Sequence, residues 1–202
     1  IEAYYKDYND LVKFDSQQPN FTSNFNNDGS AYAKGVDIFW RQNQKIKNTD
    51  YWISYSFLDT ERDFRNYPTV ATPNFASTHN ISVVAKHWIE SLKSQVGFAY
   101  NFASGRTYTN PNELGFLNNK TKSYNSVSLN WAYLIDQQKI LYFSLNNALG
   151  TKNVFGYNYK NTPNMNGNFD RQAIVPNADS FFFVGFFWTI SDDKTSNNLN
   201  NL

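Results

Sequence analysis

The side chains best suited to acid–base chemistry in this sequence are its two histidines. An imidazole can act as the general base for a serine hydroxyl, so His79 could be paired with Ser82 or Ser104 in an ester-hydrolysing site. However, His79 lies at a loop–strand junction, and His87 shares an apolar strand face near a short turn. We therefore interpret both as ordinary histidines close to strand ends. No catalytic residue is predicted, and the protein is not expected to be an enzyme.

Acidic side chains are grouped in two places where they could bind calcium. The groups are Asp7, Asp10 and Asp15, and Asp59, Glu61 and Asp63. A dedicated calcium loop supplies its oxygen ligands at a fixed spacing that neither group has. We interpret them as solvated loop carboxylates and predict no metal site. The sequence indicates no other cofactor.

The composition excludes several classes of protein. A net charge of +1 provides no basic excess for nucleic-acid binding, and the absence of cysteine excludes disulfides and thiol catalysis. No apolar run approaches the roughly 20 residues that a membrane-spanning helix needs. Aromatic residues make up 18% of the chain, and asparagine is abundant between the apolar segments. Aromatics favour strands and asparagine favours turns, so the composition predicts strands separated by loops.

The most apolar run of the chain, FFFVGFFWTI in residues 181–190, alternates between two faces. Its length fits a tilted membrane strand of about 9–11 residues. Seven other segments show a similar period of two, and no segment predicts a helix. The eight predicted strands are residues 1–14, 31–41, 51–58, 79–89, 94–102, 123–134, 139–149 and 180–190.

The connections between these strands alternate between long and short, which places all the long loops at one end of the sheet. This asymmetry is typical of an up-and-down outer-membrane meander. The second face of the strands is rich in serine, glycine, alanine, asparagine and glutamine, which suits a wide lumen better than a soluble surface. Two alternatives stay open: a self-contained eight-stranded outer-membrane barrel of structural or adhesive type, and a soluble β-sandwich that binds carbohydrate.

Six segments carry further information through their order. They are AKGVDIFW (residues 33–40), YWISYSFLDTE (51–61), PNFASTHNISVV (73–84), FASGRTY (102–108), SLNNALGTKNVFGY (144–157) and the final aromatic strand. In the same order, they resemble segments of the C-terminal third of TonB-dependent outer-membrane receptors. The aromatic and asparagine-rich composition resembles that of receptors from Bacteroidota.

This resemblance implies a location in the bacterial outer membrane and a 22-stranded barrel, of which residues 1–190 would form the last eight strands. Residues 191–202 would be a polar C-terminal tail. The implied partners are the protein's own N-terminal plug domain, TonB, outer-membrane lipid and a surface lipoprotein, with no nucleic acid. Ile1 does not begin a signal peptide, so we expect a mature protein, a cytosolic one or part of a longer one. The implied function is the import of a scarce or bulky ligand, whose identity is not predicted.

Two sets of residues are candidates for contacts within such a receptor. Aromatic residues of the long loops could stack on a ligand at the extracellular mouth, or could pack the loops against one another. They are Tyr67, Phe75, Tyr108, Phe116, Tyr157 and Tyr159, together with Phe155 and Phe169. Asp37, Arg41 and Lys86 are predicted to face the lumen, where they would contact the plug through charge pairs. A charge facing lipid at the bilayer midplane costs about 2–4 kcal/mol, which supports that orientation.

Overall fold

The computed structural model describes residues 1–15 and 24–190 as an all-β chain. Its strands are β1 (Glu2–Phe14), β2 (Phe25–Gln42), β3 (Thr49–Asp63), β4 (His79–Ile89), β5 (Ser94–Ala103), β6 (Thr107–Tyr108), β7 (Asn119–Lys120), β8 (Tyr124–Asp136), β9 (Lys139–Asn146), β10 (Gly156–Tyr159), β11 (Arg171–Ile174) and β12 (Phe181–Trp188). The one helix in these ranges is the 3-10 turn Glu90–Leu92, and none there is long and apolar enough to cross a membrane. The predicted C-terminal tail lies outside the described residues.

Eight of the strands form a single antiparallel sheet in which neighbours along the chain are neighbours in space. The order is β1-β2-β3-β4-β5-β8-β9-β12, which confirms the predicted up-and-down meander. The other four strands form two small hairpins, β6–β7 and β10–β11, inside the connections predicted as long loops. Within the described ranges, β1 and β12 do not pair with each other, so the sheet is open at both edges. A self-contained eight-stranded barrel would require that pairing.

Two strands extend several residues beyond their predicted bounds. β2 begins at Phe25 rather than at residue 31, and β3 continues to Asp63 rather than ending at residue 58. The asparagine-rich start of β2 is held in the ladder because Phe25 pairs with Phe14, with their rings 5.9 Å apart. The end of β3 pairs with Ser30, and Asp63 forms an ion pair of 2.6 Å with Lys13. Cross-strand contacts therefore extend β2 and β3 beyond the segments in which apolar and polar residues alternate.

β9, by contrast, ends at Asn146 rather than at the predicted residue 149. The next residue, Asn147, has a φ of +47°, a conformation that a strand cannot continue through. Its side-chain amide donates hydrogen bonds to the carbonyl oxygens of Thr151 and Asp179, at opposite ends of the long β9–β12 connection. Asn147 therefore ends β9, and its side chain binds both ends of the β9–β12 connection. β12 is also slightly shorter than predicted and ends at Trp188.

The register separates small polar side chains from large apolar ones, because directly opposed residues in an antiparallel ladder lie on the same face. One face, which we call the polar face, contains Asp37, Ser54, Ser56, Asn80, Ser82, Gly97, Asn101, Ser126, Asn130 and Ser144. The other, the apolar face, contains Val36, Ile38, Trp40, Ile53, Ile81, Val83, Phe98, Tyr100, Leu129, Trp131, Phe143, Phe182, Val184 and Phe186. The alternation predicted from the sequence is therefore preserved across the whole sheet.

The sheet has no conventional apolar core. In the described part of the chain the buried hydrophobic residues are four alanines, whereas Trp40 is 48% exposed and Phe182 is 62% exposed. A soluble β-sandwich buries its apolar faces between two sheets about 10 Å apart. In the described residues, the eight-stranded sheet leaves its apolar face uncovered, so the soluble-sandwich alternative is wrong. A continuous exposed apolar face of this kind suits contact with lipid.

The connections occupy opposite ends of the sheet according to their length. Residues 43–48, 90–93 and 137–138 make the short turns at one end, and residues 64–78, 104–123 and 147–180 make long connections at the other. The short turns are joined by backbone hydrogen bonds from Trp88 N–H to the Asn48 carbonyl and from Leu134 N–H to the Lys93 carbonyl, each 2.8 Å long. The aromatic residues predicted to contact a ligand lie in these long connections.

Candidate functional site

The two small hairpins at the long-loop end are joined to each other. Asn112, in the β6–β7 connection, donates from its amide to the Phe169 carbonyl oxygen at 3.0 Å, and its own Oδ1 accepts from the Phe169 N–H at 2.7 Å. Phe169 belongs to the β10–β11 connection. One asparagine side chain therefore satisfies both backbone groups of a residue 57 positions away, and it couples the two long loops.

Replacement of Asn112 by alanine is expected to separate the two hairpins. Each lost hydrogen bond contributes about 0.5–1.5 kcal/mol net, and the Phe169 backbone groups lose their partners. The expected result is faster proteolytic cleavage within residues 160–170 of the folded protein. Asn158→Ala is the matched control, because Asn158 is exposed and its side chain makes no hydrogen bond within the described residues. Equal cleavage rates in the two variants would show that Asn112 does not hold the loops together.

Three of the predicted ligand-contact residues form a cluster around Arg171. The rings of Tyr108 and Tyr157 lie 4.8 Å apart, and the Arg171 guanidinium lies 4.4 Å from the centre of the Tyr157 ring. Arg171 also donates to the Tyr108 hydroxyl at 3.4 Å. The neighbouring Tyr159 hydroxyl is buried, with no hydrogen-bond partner of normal geometry among the described residues, and this burial raises the pKa of Tyr159. The cluster packs β6 against the β10–β11 hairpin.

The other three predicted aromatics, Tyr67, Phe75 and Phe116, lie near the end of β3 and the β3–β4 connection. The Tyr67 ring is 4.8 Å from Phe64 and 4.7 Å from Phe116, so Tyr67 joins the β3–β4 connection to the β6–β7 connection. Burial raises the pKa of Tyr67. Phe75 lies 5.1 Å from the Arg62 guanidinium, which also contacts the rings of Tyr8 and Phe64. All six predicted aromatics thus make contacts between segments of the chain, and contact with a ligand stays a prediction.

An ion pair closes the β10–β11 hairpin next to these clusters. Lys160 donates to Asp170 at 2.9 Å, and Asn164 donates to the same carboxylate at 2.8 Å. The hydrogen bond from Lys160 has the largest part in lowering the pKa of Asp170, and the hydrogen bond from Asn164 lowers it further. The stabilisation that these bonds give to the hairpin is therefore fully present at a pH above the ordinary carboxyl pKa of about 3.9. It is lost as the pH falls through the lower pKa that Asp170 has in the folded state.

Replacement of Lys160 by glutamine is expected to raise the pKa of Asp170 towards its ordinary value. The hairpin should then open at a higher pH during acid titration, because its carboxylate becomes protonated earlier. An NMR titration of the Asp170 carboxyl carbon measures this shift. Lys152→Gln removes a loop lysine that makes no ion pair in the described residues and should leave the titration unchanged. An unchanged Asp170 titration in Lys160→Gln would show that Lys160 does not lower the pKa of Asp170.

The cavity nearest the ends of β5 and β8 was not predicted from the sequence. It has a volume of about 280 Å³ and is lined by Ala103, Ser104, Arg106, Thr121, Lys122, Tyr124, Val154 and Phe155. Phe155 was one of the loop aromatics named from the sequence, but the two basic residues were overlooked. The available signal was the charge balance of residues 104–123, which contain Arg106, Lys120 and Lys122 against a single acid, Glu113.

On the polar face, the structure places Asp37, Arg41 and Lys86 together with the small polar residues, as expected from the alternation. Asp37 lies opposite Glu2 and lines a groove of about 810 Å³ along that face. Arg41, however, is already paired: it donates two hydrogen bonds, of 3.0 and 2.7 Å, to Asp50.

Lys86 lies directly opposite Asp50 on the polar face, beside the paired guanidinium of Arg41. Both cations also lie within 6 Å of the Trp52 ring centre, Arg41 at 5.9 Å and Lys86 at 5.8 Å. Contact of these residues with a plug stays a prediction.

Both histidines have side-chain partners on the neighbouring strand. His79 Nδ1 lies 2.9 Å from the Tyr55 hydroxyl, whereas Ser104 Oγ accepts from the His79 backbone N–H. Ser82 lies on the opposite face from both histidines. No serine is therefore placed as a nucleophile against an imidazole in the described residues. Within the same ranges, no three histidine or acidic side chains converge as a metal site.

The sheet is similar to parts of solved outer-membrane transporters. Against the ferric-catecholate import receptor Fiu of Escherichia coli K12, the TM-score is 0.61 and the identity 11%, over 92% of this chain and 24% of that one. Against the outer membrane transporter YddB of Escherichia coli, the TM-score is 0.59 and the identity 11%, over 91% and 29%. The chain thus spans about a quarter of the length of these transporters. No protein-family model and no curated protein sequence matches it. The likeness establishes the fold, which is that of part of an outer-membrane transporter barrel.

Proposed function

We propose that this chain is a segment of the β-barrel of a TonB-dependent outer-membrane transporter that imports a scarce or bulky ligand. The observation that carries the proposal is the eight-stranded open meander, which matches the barrels of two transporters over more than nine-tenths of its length. The unpaired edges of β1 and β12 support a larger barrel, because an exposed sheet edge in a bilayer leaves backbone groups without partners. The remaining strands would come from the same longer protein.

The two faces of the sheet have different roles in this proposal. The apolar face contacts lipid, and its aromatic residues near strand ends, such as Trp40 and Trp188, lie at the membrane interfaces. The polar face lines the lumen. Its groove of about 810 Å³ contains Ser54, Ser82 and Asn101, small hydrogen-bonding side chains that can contact a plug domain or a passing ligand.

The long-loop end captures the ligand, and the short-turn end faces the periplasm. The joined hairpins and their aromatic clusters give the loops a defined shape, which lowers the entropic cost of binding. Release into the periplasm would use a plug domain pulled by TonB, with Asp37 and Lys86 as barrel contacts of the plug. A surface lipoprotein and a Bacteroidota source are consistent with the asparagine-rich loops. The proposed role is transport and binding rather than catalysis.

Fractionation of the source cells tests the proposal. An antibody raised against residues 104–123 should detect an outer-membrane band much heavier than 23.4 kDa, the mass of this segment. The band should change mobility on boiling, because folded barrels resist detergent until heated. A heat-modifiable band near 23.4 kDa would instead favour a self-contained barrel. A band that stays in the soluble fraction would contradict both membrane hypotheses, the transporter segment and the self-contained barrel.

A further inference from the structure

We infer that the cavity between β5, β8 and the β9–β12 connection is a subsite for an anionic group carried on a flat apolar ring. Arg106 and Lys122 would bind the anion, and Tyr124 and Phe155 would contact the ring. The inference rests on the proposed function, because it takes the long-loop end as the side from which the ligand arrives. It narrows the substrate class to ligands with an acidic aromatic group.

The dimensions of the cavity match one ring rather than a whole bulky ligand. Its volume of about 280 Å³ is at the lower limit of ligand pockets, which are typically about 300–1,000 Å³. Ala103 and Tyr124 line both this cavity and the larger groove on the polar face. A ligand held here by one acidic ring could therefore extend its remaining parts towards the lumen.

The ring surface is provided by two stacked aromatic residues. Tyr124 and Phe155 have ring centroids 6.2 Å apart and an interplanar angle of 24°. Phe155 is nevertheless 55% exposed, so one of its faces is free to pack against a ligand. Its backbone is fixed, because the Phe155 N–H donates to the Ile174 carbonyl at 2.8 Å. Unlike Tyr108 and Tyr157, whose rings pack on each other, Phe155 retains free aromatic surface.

Within the described residues, no acidic side chain neutralises the charge in the cavity. Neither Arg106 nor Lys122 forms an ion pair or a side-chain hydrogen bond in the part of the chain that the structure describes. The one acid of the same connection, Glu113, accepts hydrogen bonds of 2.7 Å from Asn110 and Asn119 instead. Two unpaired cations in a concave, partly enclosed site attract an anion more strongly than cations on an open surface do. A guanidinium can in addition bind a carboxylate or phosphate through two parallel hydrogen bonds.

The backbone brings together the two segments that carry the cations. Thr121 N–H donates to the Arg106 carbonyl at 2.9 Å, and Arg106 N–H donates to Thr121 Oγ1 at 3.0 Å. The preceding residue, Gly105, approaches the Thr121 carbonyl so closely that a Cβ atom there would overlap it. The close approach of residues 105 and 121 is therefore built into the sequence by a glycine. It places Arg106 and Lys122 at one side of the cavity before any ligand binds.

Another exposed loop arginine, Arg171, is used differently. Its guanidinium lies on the Tyr157 ring and contacts the Tyr108 hydroxyl, so its polar groups already join the two hairpins. Lys160 is likewise paired with Asp170. Lys120 and Lys152 also form no ion pair in the described residues, but neither lines this cavity, whereas Arg106 and Lys122 both do.

Binding of small probes to the full-length transporter in detergent tests the inference. Benzoate and phenyl phosphate should bind at least about tenfold more tightly than benzamide, which lacks the charge, and than acetate or inorganic phosphate, which lack the ring. R106Q and K122Q should each weaken benzoate binding by about tenfold, which corresponds to about 1.4 kcal/mol, because each removes a charged hydrogen-bond partner of the carboxylate. F155L should reduce the preference for benzoate over acetate. Saturation-transfer NMR or calorimetry provides the affinities.

The matched control is K120Q, which removes an exposed cation of the same connection that does not line the cavity. It should change benzoate affinity by less than about twofold. Equal affinities for benzoate and benzamide, or equal affinities in K122Q and K120Q, would overturn the inference. Heat-modifiability of each variant confirms that it has folded. Ring-anion binding by a protein that fractionates away from the outer membrane would overturn the proposed function while supporting the subsite.

Discussion

Val83→Arg is expected to lower the free energy of unfolding from a lipid bilayer by about 2–4 kcal/mol. Val83 lies near the middle of β4 on the apolar face, directly opposite Ile53 on one side and Tyr100 on the other. If this face contacts lipid, a guanidinium at that depth loses its hydration. Urea titration of the full-length protein folded into vesicles measures the loss.

Ser82→Arg is the matched control, one residue away on the same strand. Ser82 lies on the polar face between Ser54 and Asn101 and lines the wide groove, so an arginine there stays hydrated. The expected loss is well below that of Val83→Arg. A larger loss in Ser82→Arg than in Val83→Arg would mean that the assignment of the two faces is reversed.

Gly35→Ala is expected to destabilise the sheet by about 1–3 kcal/mol, the cost of overpacking a close contact. A Cβ atom at Gly35 would overlap the backbone carbonyl oxygen of Phe57, and it would also lie 2.6 Å from the Tyr4 hydroxyl. The carbonyl belongs to the β2–β3 ladder and cannot move without shifting the register. The measurement is again the urea-induced unfolding of the folded transporter.

Gly185→Ala provides a control on the same face of the sheet. The nearest atoms to a Cβ atom there belong to the rings of Phe183 and Phe187, at 2.9 and 3.0 Å. Aromatic rings can turn away, so the expected cost is well below that of Gly35→Ala. Equal losses in the two variants would show that side-chain crowding, rather than the backbone contact at Phe57, determines the requirement for glycine.

The sequence predicts the long strands well because their period of two is a local property. β4 was predicted with its observed bounds, and β5 within one residue, because each alternates between large apolar and small polar side chains. The β10–β11 hairpin was missed because its asparagine-rich strands lack that period. Its pairing depends on distant contacts, such as the one between Asn112 and Phe169, which a local pattern does not contain.

The sequence named the loop aromatics but not their arrangement. Packing of the loops against one another was one of two expectations for them, yet nothing local indicates that Tyr67 contacts Phe116 or that Tyr108 contacts Tyr157. Likewise, the alternation places Arg41 on the polar face, but its pairing with Asp50 depends on the length of the β2–β3 turn. Side-chain partners follow from register and loop path, and these are properties of the folded sheet.

The central claim is that the polar face lines a lumen and the apolar face contacts lipid. The segment has no native cysteine. In a full-length protein from which any other cysteine has been removed, single cysteines at positions 81–84 of β4 can be labelled individually with an environment-sensitive fluorophore. With the full-length protein in vesicles, a lipid-phase quencher should act at Ile81 and Val83, whereas a water-soluble quencher should act at Ser82 and Val84. Uniform quenching by the water-soluble agent at all four positions would contradict a membrane-spanning sheet.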